Sequence, residues 1–312
     1  MRILFWGTPE FATPALLALI GEGHEVVGVV TQPDRAQGRS RSTLVPPPVK
    51  LIALEEGIPV FQPERPRGDE RLAELRALEP EMSVVVAYGH ILRQEFIDLP
   101  RLGTLNIHAS ILPRWRGAAP IQAAILAGDT ETGVSIQRMV LQLDAGPIVL
   151  AKRTEIGPDE TGGELTERLA ELGAAAIVEA LALIALGVAV ERPQDESAAT
   201  YAAKLDRERA RLDFARPAVE VARAIRAFDP KPGAWGIVRD GEVRLFGVRV
   251  LPDRRGDAGE VLEVGEMGMV VACASGAIAV ETVHPAGKRR LAALDWAQGR
   301  GIAQGDRWAV AP

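Results

Sequence analysis

The stretch Met82-Ser83-Val84-Val85-Val86-Ala87 reads as one apolar strand of the kind buried on both faces. A strand covered on both sides needs helices above and below it, and the chain supplies them in alternation. Strands are predicted over residues 2–6, 25–31, 59–61 and 103–108, and helices over 13–20, 48–56, 69–78 and 119–127. Residues 134–139 and 148–151 read as two further strands, and 161–186 as a long Ala/Leu-rich helix stopped at Gly187. The alternation predicts an α/β fold with a doubly wound, mostly parallel, Rossmann-like sheet.

Beyond this helix the character changes. Residues 191–200 are polar and contain Pro193, as a linker would. After Lys204 a helix over 217–228 carries Val219, Ala222, Ile225, Ala227 and Phe228 on one side. Short alternating runs follow, 236–239 with 242–250 around Asp240-Gly241, and 269–274 with 277–283 around Ser275-Gly276. Asp-Gly between alternating runs is a strong hairpin signal. A final helix is predicted over 290–299. This half reads as a small β-barrel of the OB-like kind. The predicted division is 1–187 for one domain, 188–203 for a linker and 204–312 for the barrel.

Several function classes lose support at once. Cys273 is the one cysteine, so no intrachain disulfide forms, and a reducing cytoplasmic setting is expected. The four histidines lie far apart with no metal-ligand spacing, so no metal is expected. The apolar run 180–190 is too short to cross a bilayer, and the N-terminus has no signal-peptide pattern. The first turn, Gly7-Thr8-Pro9-Glu10-Phe11-Ala12, lacks the G-x-G-x-x-G spacing of dinucleotide sites. It either lines a substrate pocket or simply starts a helix. There is no G-x-x-x-x-G-K-[ST] loop and no nucleophile elbow. Residues 1–203 carry 18 Lys/Arg against 27 Asp/Glu, a net of -9, whereas 204–312 carry 18 against 15, a net of +3. Such asymmetry suits a module that meets a polyanion, and also arises by chance between domains.

Positive signals cluster where strands end. Asn106 and His108 close the strand over 103–108, and residues i and i+2 of a strand share a face. An amide beside an imidazole is equipment for stabilising an oxyanion. The same pair also suits a strand end whose side chains satisfy the next turn. Asp144, in Leu143-Asp144-Ala145-Gly146-Pro147, sits in a loop from which it could orient His108 or help remove a proton, or could simply serve the turn. Val86, Ala87 and Tyr88, before Gly89, end the apolar strand, where free backbone groups suit a flat heterocycle. No acid occurs between Asp98 and Asp129, leaving Arg101, Arg114 and Arg116 locally unopposed. They would welcome an anion, or Arg114 and Trp115 could form a stacked solvated pair. The connection 32–49 is long for a loop and holds Arg35, Arg39 and Arg41 against Asp34, a pattern suited to phosphate or to a solvated loop. Lys288-Arg289-Arg290 is a second basic patch or a charged turn.

Together these residues resemble the folate-dependent formyltransferases. The resemblance rests on Gly7-Thr8-Pro9-Glu10-Phe11-Ala12, Thr31-Gln32-Pro33-Asp34-Arg35, Val85-Val86-Ala87-Tyr88-Gly89, Asn106-Ile107-His108, Ser110-Ile111-Leu112-Pro113-Arg114-Trp115-Arg116-Gly117 and Leu143-Asp144-Ala145-Gly146. It continues through Thr200-Tyr201-Ala202-Ala203-Lys204-Leu205, Ile225-Arg226-Ala227-Phe228 and Pro285-Ala286-Gly287-Lys288, nearly the whole chain. It implies transfer of a formyl group from 10-formyltetrahydrofolate to the amino group of methionine on initiator tRNA. It implies Asn106, His108 and Asp144 as the catalytic residues. Ser110, Ile111, Leu112 and Pro113 would contact folate beside Val86, Ala87 and Tyr88. Arg35, Arg39, Arg41, Lys204, Lys288 and Arg289 would contact tRNA. A monomer is expected. Ala109 and Ile111 stand where Gly and Leu are common, and Arg39-Ser40-Arg41-Ser42 is less basic than the Lys-rich form of this loop. An amino sugar nucleotide or another small amine is the competing acceptor.

Overall fold

The computed structural model describes residues 1–37 and 43–309, which form two compact units. One comprises Met1–Pro120, Glu131–Glu155 and Thr166–Ala202, and the other Ile121–Thr130, Ile156–Leu165 and Ala203–Pro312.

The first unit is built on strands β1 (Arg2–Gly7), β2 (Glu25–Val30), β3 (Arg35–Gln37), β4 (Thr43–Val45), β5 (Val60–Phe61), β6 (Met82–Val86), β7 (Thr104–His108), β8 (Arg116–Gly117), β9 (Glu131–Arg138), β10 (Ile148–Glu155) and β11 (Tyr201–Ala202). Seven of them form one sheet in the order β10-β9-β7-β6-β1-β2-β5. All five residues of β6 are buried, as a strand covered on both faces requires. β1, β2, β5, β6 and β7 run parallel, while β9 is antiparallel to β7 and β10 to β9. The sheet is thus mostly parallel with an antiparallel edge.

The two antiparallel strands, β9 and β10, are longer than their alternation suggested. They pair from Ile148↔Gln137 to Glu155↔Glu131. Gly133 permits this, because a Cβ there would lie 2.0 Å from the Lys152 carbonyl oxygen. The long connection after β2 is not featureless, since β3 and β4 pair antiparallel across it. Nor is 188–203 a bare connection. Arg192 bridges Ile148, and Tyr201 and Ala202 pair in parallel with Arg116 and Gly117.

The second unit holds β12 (Ala234–Val238), β13 (Gly241–Leu251), β14 (Val261–Gly265), β15 (Gly268–Ala272), β16 (Ala277–Pro285) and β17 (Leu291–Ala292). They form an antiparallel sheet in the order β12-β13-β16-β15-β14, with β17 on β16. Its free edges are both bridged by the C-terminal segment, Trp308 to Val238 and Arg307 to Glu260, which closes the sheet as a barrel does. The first hairpin turns one residue earlier than Asp240-Gly241 implied. Val238 pairs with Gly241, and Arg239 and Asp240 have φ 49° and 61°, the positive pair of a two-residue hairpin loop. Helix Ala218–Phe228 buries Ala222, Ile225, Ala227 and Phe228 as predicted, together with Ala218 and Val221, whereas Val219 is half exposed. The last helix is confined to Ala293–Gln298, because Leu291 and Ala292 pair with β16. No helix of the described residues is long and apolar enough to cross a membrane.

Candidate active site

The order of the central sheet reverses direction between β1 and β6, with β2 and β5 to one side and β7 to the other. The carboxyl ends at such a switch point form the crevice where open α/β sheets bind ligands. Here the ends are tied together. Gly7 pairs with Val86 in register, and a Cβ on Gly7 would fall within 2.7 Å of the Phe5 ring. The Thr8 hydroxyl and the Gln32 side-chain amide both donate to the Tyr88 carbonyl, at 2.9 and 3.1 Å. That carbonyl is therefore occupied rather than free, because Gln32, 56 positions away in sequence, returns to it.

The Tyr88 ring points into the core, 5.3 Å from Trp6. Its hydroxyl is buried with no hydrogen-bond partner among the described residues, and burial raises its pKa to about 12. An unpaired buried hydroxyl costs roughly 1–3 kcal/mol. Tyr88→Phe should therefore raise the melting temperature while leaving turnover near the parent value. A large rise in KM for a folate donor would instead place the hydroxyl in contact with it.

Asn106 and His108 lie two residues apart on β7, and Asp144 approaches His108. Asn106 is partly buried on β7, and its side chain makes no hydrogen bond among the described residues. His108 is 6% exposed, with Nδ1 3.7 Å from Asp144 Oδ2 and Nε2 2.8 Å from the Trp115 carbonyl oxygen. Asp144 folds back by way of Gln137. Gln137 lies opposite Asn106 in register, on the same face, and its Nε2 donates to Asp144 Oδ1 at 2.9 Å. The Gly117 backbone N–H donates to Asp144 Oδ2 at 2.8 Å. Both residues that aim the histidine have positive φ, 48° at Asp144 and 61° at Trp115. Non-glycine residues in that region cost on the order of 1–3 kcal/mol and persist where surrounding contacts over-determine them. With both ring nitrogens facing acceptors, His108 serves as a donor only from a nitrogen that carries a proton. Donation to a substrate oxygen from Nε2 requires the Trp115 carbonyl to share or yield that proton.

Two family models match the chain: formyl transferase over residues 1–181, and formyl transferase, C-terminal domain, over residues 204–301. The chain belongs to the formyl transferase family. It is 50% identical over 302 residues to a protein of Xanthomonas campestris pv. campestris (strain 8004) named methionyl-tRNA formyltransferase, covering 96% of this chain and 98% of that one. A protein of the same name from Moorella thermoacetica is 46% identical, with 98% of both chains covered. Among solved structures, HypX from Aquifex aeolicus in complex with tetrahydrofolic acid superposes with a TM-score of 0.67 at 22% identity, over 95% of this chain and 46% of that one. The sugar 3N-formyl transferase WlaRD matches with a TM-score of 0.67 at 17% identity, over 93% and 99%. These structural likenesses concern the fold.

Within this formyl transferase, the residues expected to hold folate divide by exposure. Val86, Tyr88, Ser110 and Leu112 are buried, whereas Ala87 is exposed and Ile111 and Pro113 are partly so. The buried members organise the loop. Ser110 Oγ donates to the Arg114 carbonyl at 2.6 Å, Ser135 Oγ donates to the Ser110 carbonyl at 2.8 Å, and the Leu112 N–H donates to Ser135 Oγ at 3.1 Å. Ser135 lies opposite His108 on β9, a role that no local motif signals.

Arg101 and Arg116, which looked unopposed, are paired with acids, and Arg114 stacks on Trp115. Arg101 pairs with Glu81 at 2.5 Å, Arg114 stacks 4.4 Å over the Trp115 ring, and Arg116 pairs with Glu196 at 2.7 Å. Arg116 is wholly buried and also donates to Gln194 Oε1 through Nε at 3.0 Å and Nη2 at 2.8 Å. The acids that answer Arg101 and Arg116, Glu81 and Glu196, lie outside the local window, so a local charge count missed them. The Glu196 carboxyl in turn is held below its ordinary pKa by the Arg116 guanidinium.

Of the six basic residues expected to contact tRNA, Arg39 and Arg41 lie outside the described residues. Arg35 is exposed, with its guanidinium on Gln32 Oε1. Lys204, Lys288 and Arg289 are exposed and make no ion pair among the described residues. Asp34, beside Arg35, is neutralised by Lys50 at 2.8 Å, and its pKa is lowered by hydrogen bonds from Gln62 and Lys50. No group of three or more His, Cys, Asp or Glu gathers to hold a metal among the described residues.

Proposed function

We propose that this chain transfers the formyl group of 10-formyltetrahydrofolate to the free amino group of methionyl-initiator tRNA, acting as a cytoplasmic monomer. The observation that carries this reading is the near-complete match across both units, at 46–50% identity, to proteins named for that reaction. The Asn106, His108 and Asp144 constellation supports it chemically. An uncharged amine attacks the formyl carbon and the carbonyl oxygen becomes an oxyanion. The Asn106 amide donates to that oxygen, and so does His108 once protonated. Asp144, 3.7 Å from His108, stabilises the ring's positive charge and assists removal of the amine proton. The tetrahedral intermediate then collapses, the bond from the formyl carbon to the folate nitrogen breaks, and that nitrogen takes up a proton as tetrahydrofolate leaves. Ala87, Ile111 and Pro113 form the exposed part of the folate surface. Val86, Tyr88, Ser110 and Leu112 contribute through their backbone or by shaping the loops. Catalysis is assigned to 1–187, tRNA contact to 204–312 together with the arginines after β2, and the connection to 188–203.

The purified chain should formylate methionyl-tRNA and leave free methionine and a nucleotide-linked amino sugar unchanged. Formylation of the amino sugar in preference to methionyl-tRNA would move the protein to the other acceptor class.

Arg35, Arg39, Arg41, Lys204, Lys288 and Arg289 supply the phosphate contacts in this reading. Converting Lys288 and Arg289 together to Ala should weaken tRNA binding. It should also flatten the plot of log affinity against log salt by about 1 for every phosphate no longer neutralised. Unchanged affinity and slope would remove this patch from the interface.

A further inference from the structure

Gln194 lies in the segment expected to be a polar linker, and within 191–198 it is the one residue that is not exposed. Its side chain is fully used. Nε2 donates to the Asp144 carbonyl at 2.8 Å, to the Gly146 carbonyl at 2.7 Å and, more weakly, to Gln137 Oε1 at 3.3 Å. Oε1 accepts from Nε and Nη2 of Arg116. The chemistry dictates which way the amide points. Reversed, its oxygen would face two carbonyls and its nitrogen a guanidinium, and every contact would repel. Arg116 can hold this position because Glu196, two residues on, neutralises it from the same segment at 2.7 and 2.9 Å.

We infer that Gln194 is a positioning residue that sets the backbone of the loop carrying Asp144. This rests on the proposed role of Asp144. The loop needs such a clamp because Asp144 is held at φ 48° and two nearby carbonyls turn toward the same donor. The Asp144 carboxylate has its own partners, Gln137 and the Gly117 N–H. Gln194 therefore acts on the peptide groups of the loop and on Gln137, which holds the carboxylate, rather than on the reacting atoms. The buried Arg116 is the other half of the clamp, an amide orienter rather than an anion site.

The test uses the full chain with Gln194→Glu and Gln194→Ala. Gln194→Glu keeps an acceptor for Arg116, and so the fold, but when ionised it cannot donate to the two carbonyls. It should lower kcat by about 10- to 100-fold, the scale of a misplaced catalytic group, with KM for both substrates little changed. In an Asp144→Asn background the same change should cost almost nothing, because there is no longer a carboxylate to position. Amide hydrogen exchange across residues 139–147 should quicken in Gln194→Glu while the rest of the chain keeps its protection. A kcat within about two-fold of the parent would overturn the inference. So would an equal loss with and without Asp144, or unchanged exchange in the loop. Failure of the parent itself to formylate methionyl-tRNA counts against the proposed function alone, and the exchange result then decides the positioning role.

Discussion

Replacing Asp144 by Asn, or His108 by Ala, is expected to lower formyl-transfer turnover by about 10²–10³-fold, the usual cost of losing one preorganised charge or oxyanion donor. His108 is 6% exposed, and its nitrogens are engaged by Asp144 and the Trp115 carbonyl, so its ring is fixed before substrate arrives. Ala removes the donor outright. Asp144→Asn is the subtler change. The carboxylate accepts from Gln137 on one oxygen and from Gly117 on the other. An Asn at 144 can satisfy only one of these donors and sets its own NH2 against the second. It also removes the negative charge beside His108. The measurement is single-turnover formyl transfer with the melting temperature recorded for each variant. Near-parent turnover in a folded His108→Ala or Asp144→Asn protein would sink the assignment of that residue.

Gly146→Ala should be nearly as damaging without touching any reacting group. A Cβ there would sit 1.8 Å from the Arg138 carbonyl oxygen and 2.9 Å from its carbon, both backbone atoms of β9. Neither can rotate aside, so the loop must move. Asp144 lies two residues away, and displacement of a catalytic group by about 1 Å can cost 10²-fold. Gly21→Ala makes the control, since a Cβ there meets nothing within 4 Å. The expected result is a kcat lower by about 100-fold for Gly146→Ala, against no loss for Gly21→Ala. Equal activities would mean that the loop yields without moving Asp144.

Much of the fold was legible because its signals are local. The apolar run at 82–87 matched a strand buried on both faces, and the helices fell between strands as the alternation indicated. What went astray depended on pairing. Val219 was assigned to the buried stripe, yet the strands beneath helix Ala218–Phe228 select Val221. The first hairpin of the second unit shifted by one residue because turn geometry demands positive φ at Arg239 and Asp240, not a glycine within the loop itself. The barrel could be expected from its strands, but its closure by Arg307 and Trp308 could not, since those residues carry no strand pattern.

The candidate site divides in the same way. That Asn106 and His108 share a face follows from the two-residue period of a strand, which sequence spacing alone establishes. The family, and with it the expected donor and acceptor, was also readable from the motifs. That Asp144 reaches His108 was decided by sheet register, which sets Gln137 opposite Asn106 and lets it draw the loop back. That Arg116 is buried and bound to Gln194 and Glu196, rather than open to an anion, was decided by partners 78 and 80 residues away in sequence. Periodicity is a property of neighbours, so a chain displays it before folding. Charge compensation and loop direction belong to residues that meet only once the sheet has formed, and only the tertiary structure specifies them.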